Sequence, residues 1–239
     1  MSRPAELSRN LAATRDRIAA ACAAAGRDPA ELTLIAVTKT YPASDVLALA
    51  GLGLTDFGEN RDQEAAPKAA AVAAAGQPVT WHFVGQLQSN KAHSVAGYAS
   101  FVHSVDRVRL ARHLGAAAFS TPGRNVADAA LVCLVQVSLD GDPNRGGVPA
   151  DRMLEVAEAI EAEPGLALGG LMAVAPLGES PLAAFAPLRE LSAAVRSVNA
   201  SATVVSAGMS GDLEAAIECG ATHLRIGTAL LGDRTPPVL

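Results

Sequence analysis

Along the 239-residue chain, short runs of β-branched and other apolar residues alternate with alanine-rich stretches whose apolar positions recur every three or four residues. This alternation of two periods is the pattern of parallel βαβ units. It predicts strands at 33–39, 56–60, 79–85, 100–106, 130–139, 166–174, 203–208 and 223–231. Helices are predicted near 43–51, 61–75, 88–96, 107–118, 149–162, 181–198 and 212–219, most opened by Asp, Ser, Asn or Pro in the first turn. A further helix, about residues 4–25, precedes the first strand and carries Leu7, Leu11, Ile18 and Cys22 as a narrow apolar stripe.

Eight strands with seven intervening helices fit a single (β/α)8 TIM barrel with an additional N-terminal helix. An open doubly wound sheet would use fewer strands and a glycine-rich first turn, and the chain has no GxGxxG. The leading helix either covers the barrel floor or stands in for the eighth outer helix, because the chain ends soon after the last strand with Thr235-Pro236-Pro237. Without linker-like composition or an internal repeat, residues 1–239 form one expected domain, with the helix at 1–26 and the barrel at 33–232.

Half of the residues are apolar, ample for a sizeable core. The net charge of −5, with arginines scattered singly, argues against a nucleic-acid face or an anchor on anionic lipid. Cys22, Cys133 and Cys219 are odd in number and far apart, which disfavours a disulfide framework or a zinc site and suggests a reducing compartment. Charged residues throughout the first seventeen positions exclude a signal-peptide hydrophobic region, and no later window reaches membrane-spanning length unbroken. A soluble cytoplasmic protein is expected.

Basic residues change the picture further: the chain has three lysines against sixteen arginines, and one lysine, Lys39, closes the apolar run of the first strand. In a barrel, chemistry gathers at the C-terminal strand ends. Alternation puts Lys39 on the face of Ile35 and Val37, in the barrel mouth beside apolar neighbours. Desolvation there favours the neutral amine that attacks a carbonyl, whereas a lysine that extends its head to water is the bland alternative.

The stretch Ser206-Ala207-Gly208-Met209-Ser210-Gly211-Asp212 runs from strand seven into a helix and offers backbone N–H groups and hydroxyls to an anion, with Asp212 as a plain helix cap the alternative. Gly227-Thr228 supplies a second half of such a cradle from strand eight, where barrel enzymes often hold phosphate. Arg225, inside an apolar strand, needs a partner, either a carboxylate such as Glu59 or a ligand atom. His82 and His103 are expected to be core histidines satisfied by hydrogen bonds, Lys68 to be solvated, and Lys91 to start a surface helix. A Schiff-base lysine, a phosphate cradle and a cation between them suit pyridoxal 5′-phosphate, PLP, whose aldehyde, phosphate and ring nitrogen they would hold.

Several motifs resemble those of the pyridoxal phosphate homeostasis proteins: Ala36-Val37-Thr38-Lys39-Thr40, Phe57-Gly58-Glu59-Asn60, the stretch from Trp81-His82-Phe83 to Ser89-Asn90-Lys91, Gly170-Leu171-Met172-Ala173, Ser206-Ala207-Gly208-Met209-Ser210 and Leu224-Arg225-Ile226-Gly227-Thr228. They occur in the same order over nearly the whole chain, and the family is similar to the N-terminal barrel of alanine racemase. The resemblance implies a (β/α)8 fold with PLP held as an internal aldimine on Lys39. It further implies that Ser206, Ser210, Gly227 and Thr228 with the Met209 backbone hold the phosphate, that Arg225 faces the pyridine nitrogen, and that Asn60 lies beside the ring. An arginine there disfavours protonation of the ring and weakens it as an electron sink. One departure follows strand five, where many relatives have a lysine before Ser-Gly and this chain has Arg145-Gly146-Gly147. A transient second docking point for the cofactor at that lysine is in doubt here, because arginine does not form an ordinary Schiff base at neutral pH.

Three functions compete. The first is a monomeric protein that stores, buffers or delivers PLP, with apo PLP-dependent enzymes as recipients and no steady turnover. The second is a racemase of low activity, which needs an acid/base group on each face of the substrate α-carbon. In alanine racemase one such group is a tyrosine from a second domain, and this chain has only Tyr41 and Tyr98. A lysine-dependent aldolase without cofactor is the third. The complete binding set beside an incomplete catalytic one favours the first.

Overall fold

In the computed structural model, which describes residues 2–121, 130–142 and 145–232, the apolar runs form eight parallel strands. They are β1 (Thr33–Val37), β2 (Asp56–Glu59), β3 (Thr80–Phe83), β4 (Phe101–Val105), β5 (Leu131–Gln136), β6 (Leu166–Met172), β7 (Val204–Ser206) and β8 (His223–Ile226). Each pairs with its sequence neighbour, and β8 returns to β1 with Ile35 opposite Arg225, which closes the expected barrel. Around it lie α1 (Arg3–Ala24), α2 (Ala43–Gly51), α3 (Asp62–Ala74), α4 (Ala92–Tyr98), α5 (Val108–Ser120), α6 (Met153–Glu161), α7 (Pro181–Phe185), α8 (Leu188–Val198), α9 (Leu213–Glu218) and α10 (Thr228–Leu231).

Successive strand residues face opposite sides of a sheet, and here the two sides differ in character. Ala36, Phe57, Trp81, Phe83, Val102, Cys133, Val135, Leu171, Val205, Leu224 and Ile226 belong to the continuous apolar core shared with the helices. The alternate positions include Ile35, His82, His103, Leu134, Met172, Ser206 and Arg225, which are buried but stand outside that core. Burial outside the sheet therefore supplies the main hydrophobic stabilisation, and the barrel interior is free to hold polar groups.

Helix α1 buries Leu7, Leu11, Ile18 and Cys22 and packs on α2, α9 and α10. Of the two positions open to it, it takes the eighth place in the outer ring. Asn10 Nδ2 and Arg3 Nη2 donate to the Leu230 and Leu231 carbonyls, each at 3.0 Å, and so hold the chain where it leaves the barrel.

Three expectations need correction. The eighth strand ends at Ile226 and residues 228–231 turn into α10, because a short apolar run such as Ala-Leu-Leu carries no period that separates strand from helix. The single helix expected at 181–198 is two, α7 and α8, broken at Ala186–Pro187, where the proline has no N–H to continue the helical hydrogen-bond ladder. The first strand stops at Val37, two residues before Lys39. Asn144 in the expected loop after strand five and residues 235–237 lie outside the described residues. Among the described residues no helix is long and apolar enough to cross a membrane.

Candidate functional site

The chain leaves β1 in a tight turn in which the Tyr41 N–H donates to the Thr38 carbonyl at 3.0 Å and Thr40 adopts a φ of 71°. Lys39 sits half-buried in this turn. A buried cluster fixes the turn from behind. Thr38 Oγ1 donates to Glu59 Oε1 at 2.7 Å, the Lys68 ammonium donates to the Thr38 carbonyl at 2.8 Å and to Glu59 Oε1 at 2.5 Å, and the Thr40 N–H donates to Glu64. Lys68 is thus buried and ion-paired, not solvated as its alanine-rich surroundings suggested. Burial pushes the Glu59 carboxyl up against the opposing pull of Lys68 and Thr38. The Glu64–Lys68 pair, four residues apart on α3, was the one sequence signal for this cluster.

On the opposite wall, Gly208 has a φ of +90°, and a Cβ there would stand 2.7 Å from Ala216 Cβ. Only glycine makes this bend without strain, and the bend carries Met209 and Ser210 over the barrel mouth. The Met209 N–H donates to Asp212 Oδ1 at 2.5 Å, and the Ala229 N–H donates to Ser210 Oγ at 3.2 Å, which joins the loop after β7 to the turn after β8. Arg17 of α1 clamps the loop from outside through the Ser210 carbonyl, at 2.6 Å, and Glu214. Asn60 is set by Gly85, where a Cβ would fall 2.0 Å from the Asn60 carbonyl oxygen.

Arg225 is buried and meets no carboxylate of the kind expected: Glu59 is held by Lys68. Its Nη1 donates to Ser206 Oγ at 2.7 Å and its Nη2 to the Ala173 carbonyl at 2.9 Å. Burial pulls the guanidinium down to about 10, which leaves it a cation at neutral pH. Ser206 Oγ is also 2.8 Å from His103 Nδ1, so the hydroxyl serves Arg225 and the histidine, and it does not line the cavity where the phosphate cradle was expected. His82 and His103 are core histidines satisfied by hydrogen bonds, as the sequence suggested.

Between these walls lies a cavity of about 370 Å³, lined by Val37, Lys39, Asn60, Val84, Met172, Val174, Met209, Ser210, Gly211, Arg225, Gly227 and Thr228. Seven of the eight residues expected from the sequence therefore converge on one space, with Ser206 beneath Arg225 as the exception. Every ionisable residue on this lining is a basic one, Lys39 and Arg225, and the hydroxyl and amide groups of Ser210, Thr228 and Asn60 complete its polar chemistry. That donor set, in a volume typical of small-molecule sites, fits an anionic ligand with a carbonyl for Lys39. Neither tyrosine lines it; Tyr41 donates to the Gly232 carbonyl at 2.8 Å, and burial pushes the Tyr98 hydroxyl upward. Arg145 lines a neighbouring recess and is held by Asp140 at 2.8 Å and the Ala175 carbonyl at 2.7 Å.

A closed parallel barrel with a lysine in the turn after its first strand and hydroxyl-bearing turns after its seventh and eighth is of the alanine racemase N-terminal domain class, and the model of that family matches residues 9–235. The chain belongs to this family and, within it, to the pyridoxal phosphate homeostasis proteins. It is 43% identical to the pyridoxal phosphate homeostasis protein of Mycobacterium tuberculosis, over 97% of this chain and 94% of the relative. It is 44% identical to that of Pseudomonas aeruginosa, over 95% and 96%. Among solved structures it superposes on Synechococcus elongatus PipY with PLP bound, with a TM-score of 0.79, 31% identity, and coverage of 95% of this chain and 100% of that one.

Proposed function

We propose that this protein holds PLP in the barrel-mouth cavity and acts in its storage, buffering or delivery without steady turnover of a substrate. The observation that carries the reading is the convergence of Lys39, Arg225 and the Ser210–Thr228 rim on one cavity whose ionisable groups are all basic residues. Lys39 supplies the amine for the aldehyde, and the half-buried turn keeps it aimed inward. Ser210 and Thr228, with the backbone at Gly227, receive the phosphate, and Asn60 flanks the ring. Arg225 presents a permanent N–H donor to the ring nitrogen. When bound, PLP supplies an electron sink, and Arg225 keeps that sink weak because a charged donor disfavours a second positive charge on its partner.

Racemisation would require a second acid/base group across the α-carbon, and the two tyrosines point elsewhere. PLP-dependent apo-enzymes are the proposed recipients, and the protein is taken to act as a cytoplasmic monomer. The test is an absorbance spectrum of PLP-loaded protein, followed by borohydride reduction and peptide mapping, for wild type and Lys39→Ala. A yellow band and a reduced adduct on the peptide containing position 39 should be present in the first and absent from the second. Sustained racemisation of free amino acids far above the rate of PLP in solution would overturn the non-enzymatic part.

A further inference from the structure

Beneath the cavity a chain of buried side chains crosses the barrel from β2 to β8. His82 Nε2 is 2.9 Å from Asp56 Oδ1, His82 Nδ1 is 2.9 Å from His103 Nε2, His103 Nδ1 is 2.8 Å from Ser206 Oγ, and Arg225 Nη1 is 2.7 Å from the same oxygen. His82, His103, Ser206 and Arg225 are all at most 5% exposed. We propose that His82 and His103 are positioning residues, whose one-directional hydrogen bonding between Asp56 and Ser206 makes the Ser206 hydroxyl a fixed acceptor for Arg225 and so sets the donor that meets the cofactor's ring nitrogen. The inference rests on the PLP reading above for its last link only.

The two ends dictate the direction. Arginine can only donate, so Ser206 Oγ accepts from it; an ionised carboxylate can only accept, so His82 Nε2 carries the proton towards Asp56. A neutral His82 then has a bare Nδ1, which requires His103 to donate from Nε2. His103 Nδ1 is in turn bare and accepts the Ser206 hydroxyl proton. Each link holds one proton and every buried polar atom in the chain is satisfied. Reversed polarity would point a bare His82 Nε2 at Asp56 and leave the Ser206 proton without an acceptor, an arrangement that costs about 1–3 kcal/mol for the orphaned group alone. Burial, with the positive charge of Arg225 nearby, holds His103 well below its ordinary value and therefore neutral. Burial pushes Asp56 up, but hydrogen bonds from His82 and Thr55 bring it below the usual carboxylate value, which keeps it an acceptor.

The imidazole nitrogens of the PLP-free protein, read by nitrogen-15 NMR near pH 7, test the chain without any cofactor. Both His82 and His103 should be neutral with the proton on Nε2; a doubly protonated His82, or an Nδ1–H on either ring, overturns the proposal. Ring-labelled PLP then tests the last link. In wild type its nitrogen should report an unprotonated hydrogen-bond acceptor, and His103→Leu should shift that signal and weaken PLP binding about tenfold, the worth of one buried hydrogen bond. Ser206→Ala removes the same link with a smaller change in volume and should displace the signal likewise, which covers a His103→Leu protein that fails to fold. A ring-nitrogen signal unchanged in both variants overturns the positioning role. Wild-type protein that takes up no PLP sinks the cofactor reading instead, while the tautomers still decide the chain.

Discussion

The Lys68 ammonium stands 2.5 Å from Glu59 Oε1, with the lysine side chain 5% and the glutamate side chain 0% exposed. This pair lies behind the turn that carries Lys39 and holds it through the Thr38 hydroxyl and carbonyl. Of the chain's three lysines, one faces the ligand cavity and a second fixes the backbone that aims the first.

Removing one partner from a buried pair strands the other charge. Lys68→Met should therefore destabilise the fold by about 3–5 kcal/mol in urea unfolding, and a double Glu59→Leu, Lys68→Met variant should recover most of that loss. A single variant within about 0.5 kcal/mol of wild type would show that the pair is not maintained in solution.

Stability should fall in acid below the ordinary histidine range. Burial holds His103 well below its ordinary value and pushes His223 down to about 4. The unfolded chain takes up these protons near pH 6.5 while the folded chain does not, so stability is lost as pH falls through about 6.5 towards 4. For His223 the full loss is about 3 kcal/mol. Urea midpoints measured between pH 7.5 and 4.5 check the slope, and His223→Gln should flatten it.

Gly208→Ala forces a side chain into a left-handed backbone and against Ala216. A loss of about 1–3 kcal/mol is expected in thermal unfolding, together with weaker PLP uptake as the Ser210 loop shifts. Gly211→Ala, with open space around its Cβ, is the matched control and should unfold within about 0.5 kcal/mol of wild type.

Arg17→Ala separates a contribution to the loop from a contribution to the fold. The Arg17–Glu214 pair is partly exposed and its loss should lower stability by less than about 1 kcal/mol. The same change frees the Ser210 carbonyl, so PLP titrated by absorbance should bind several-fold more weakly. Unchanged affinity would mean that the Ser210 loop holds its shape without α1.

The periodicity of the chain determined the eight strands, the helices between them and the barrel, because each element buries a face that recurs at its own spacing. Unusual residues at the strand ends, where such a barrel opens, singled out Lys39, Ser210, Arg225, Gly227 and Thr228, and the family resemblance added Asn60 and Met209; all seven line the cavity. Tertiary structure alone decided that Lys68 is buried, that Ser206 serves Arg225, and that Asp56, His82 and His103 link up beneath them. Those contacts join positions from different strands and helices, and a local window records only which face a residue takes. What it meets there is fixed when β8 closes on β1 and polar groups shut away from water must find one another.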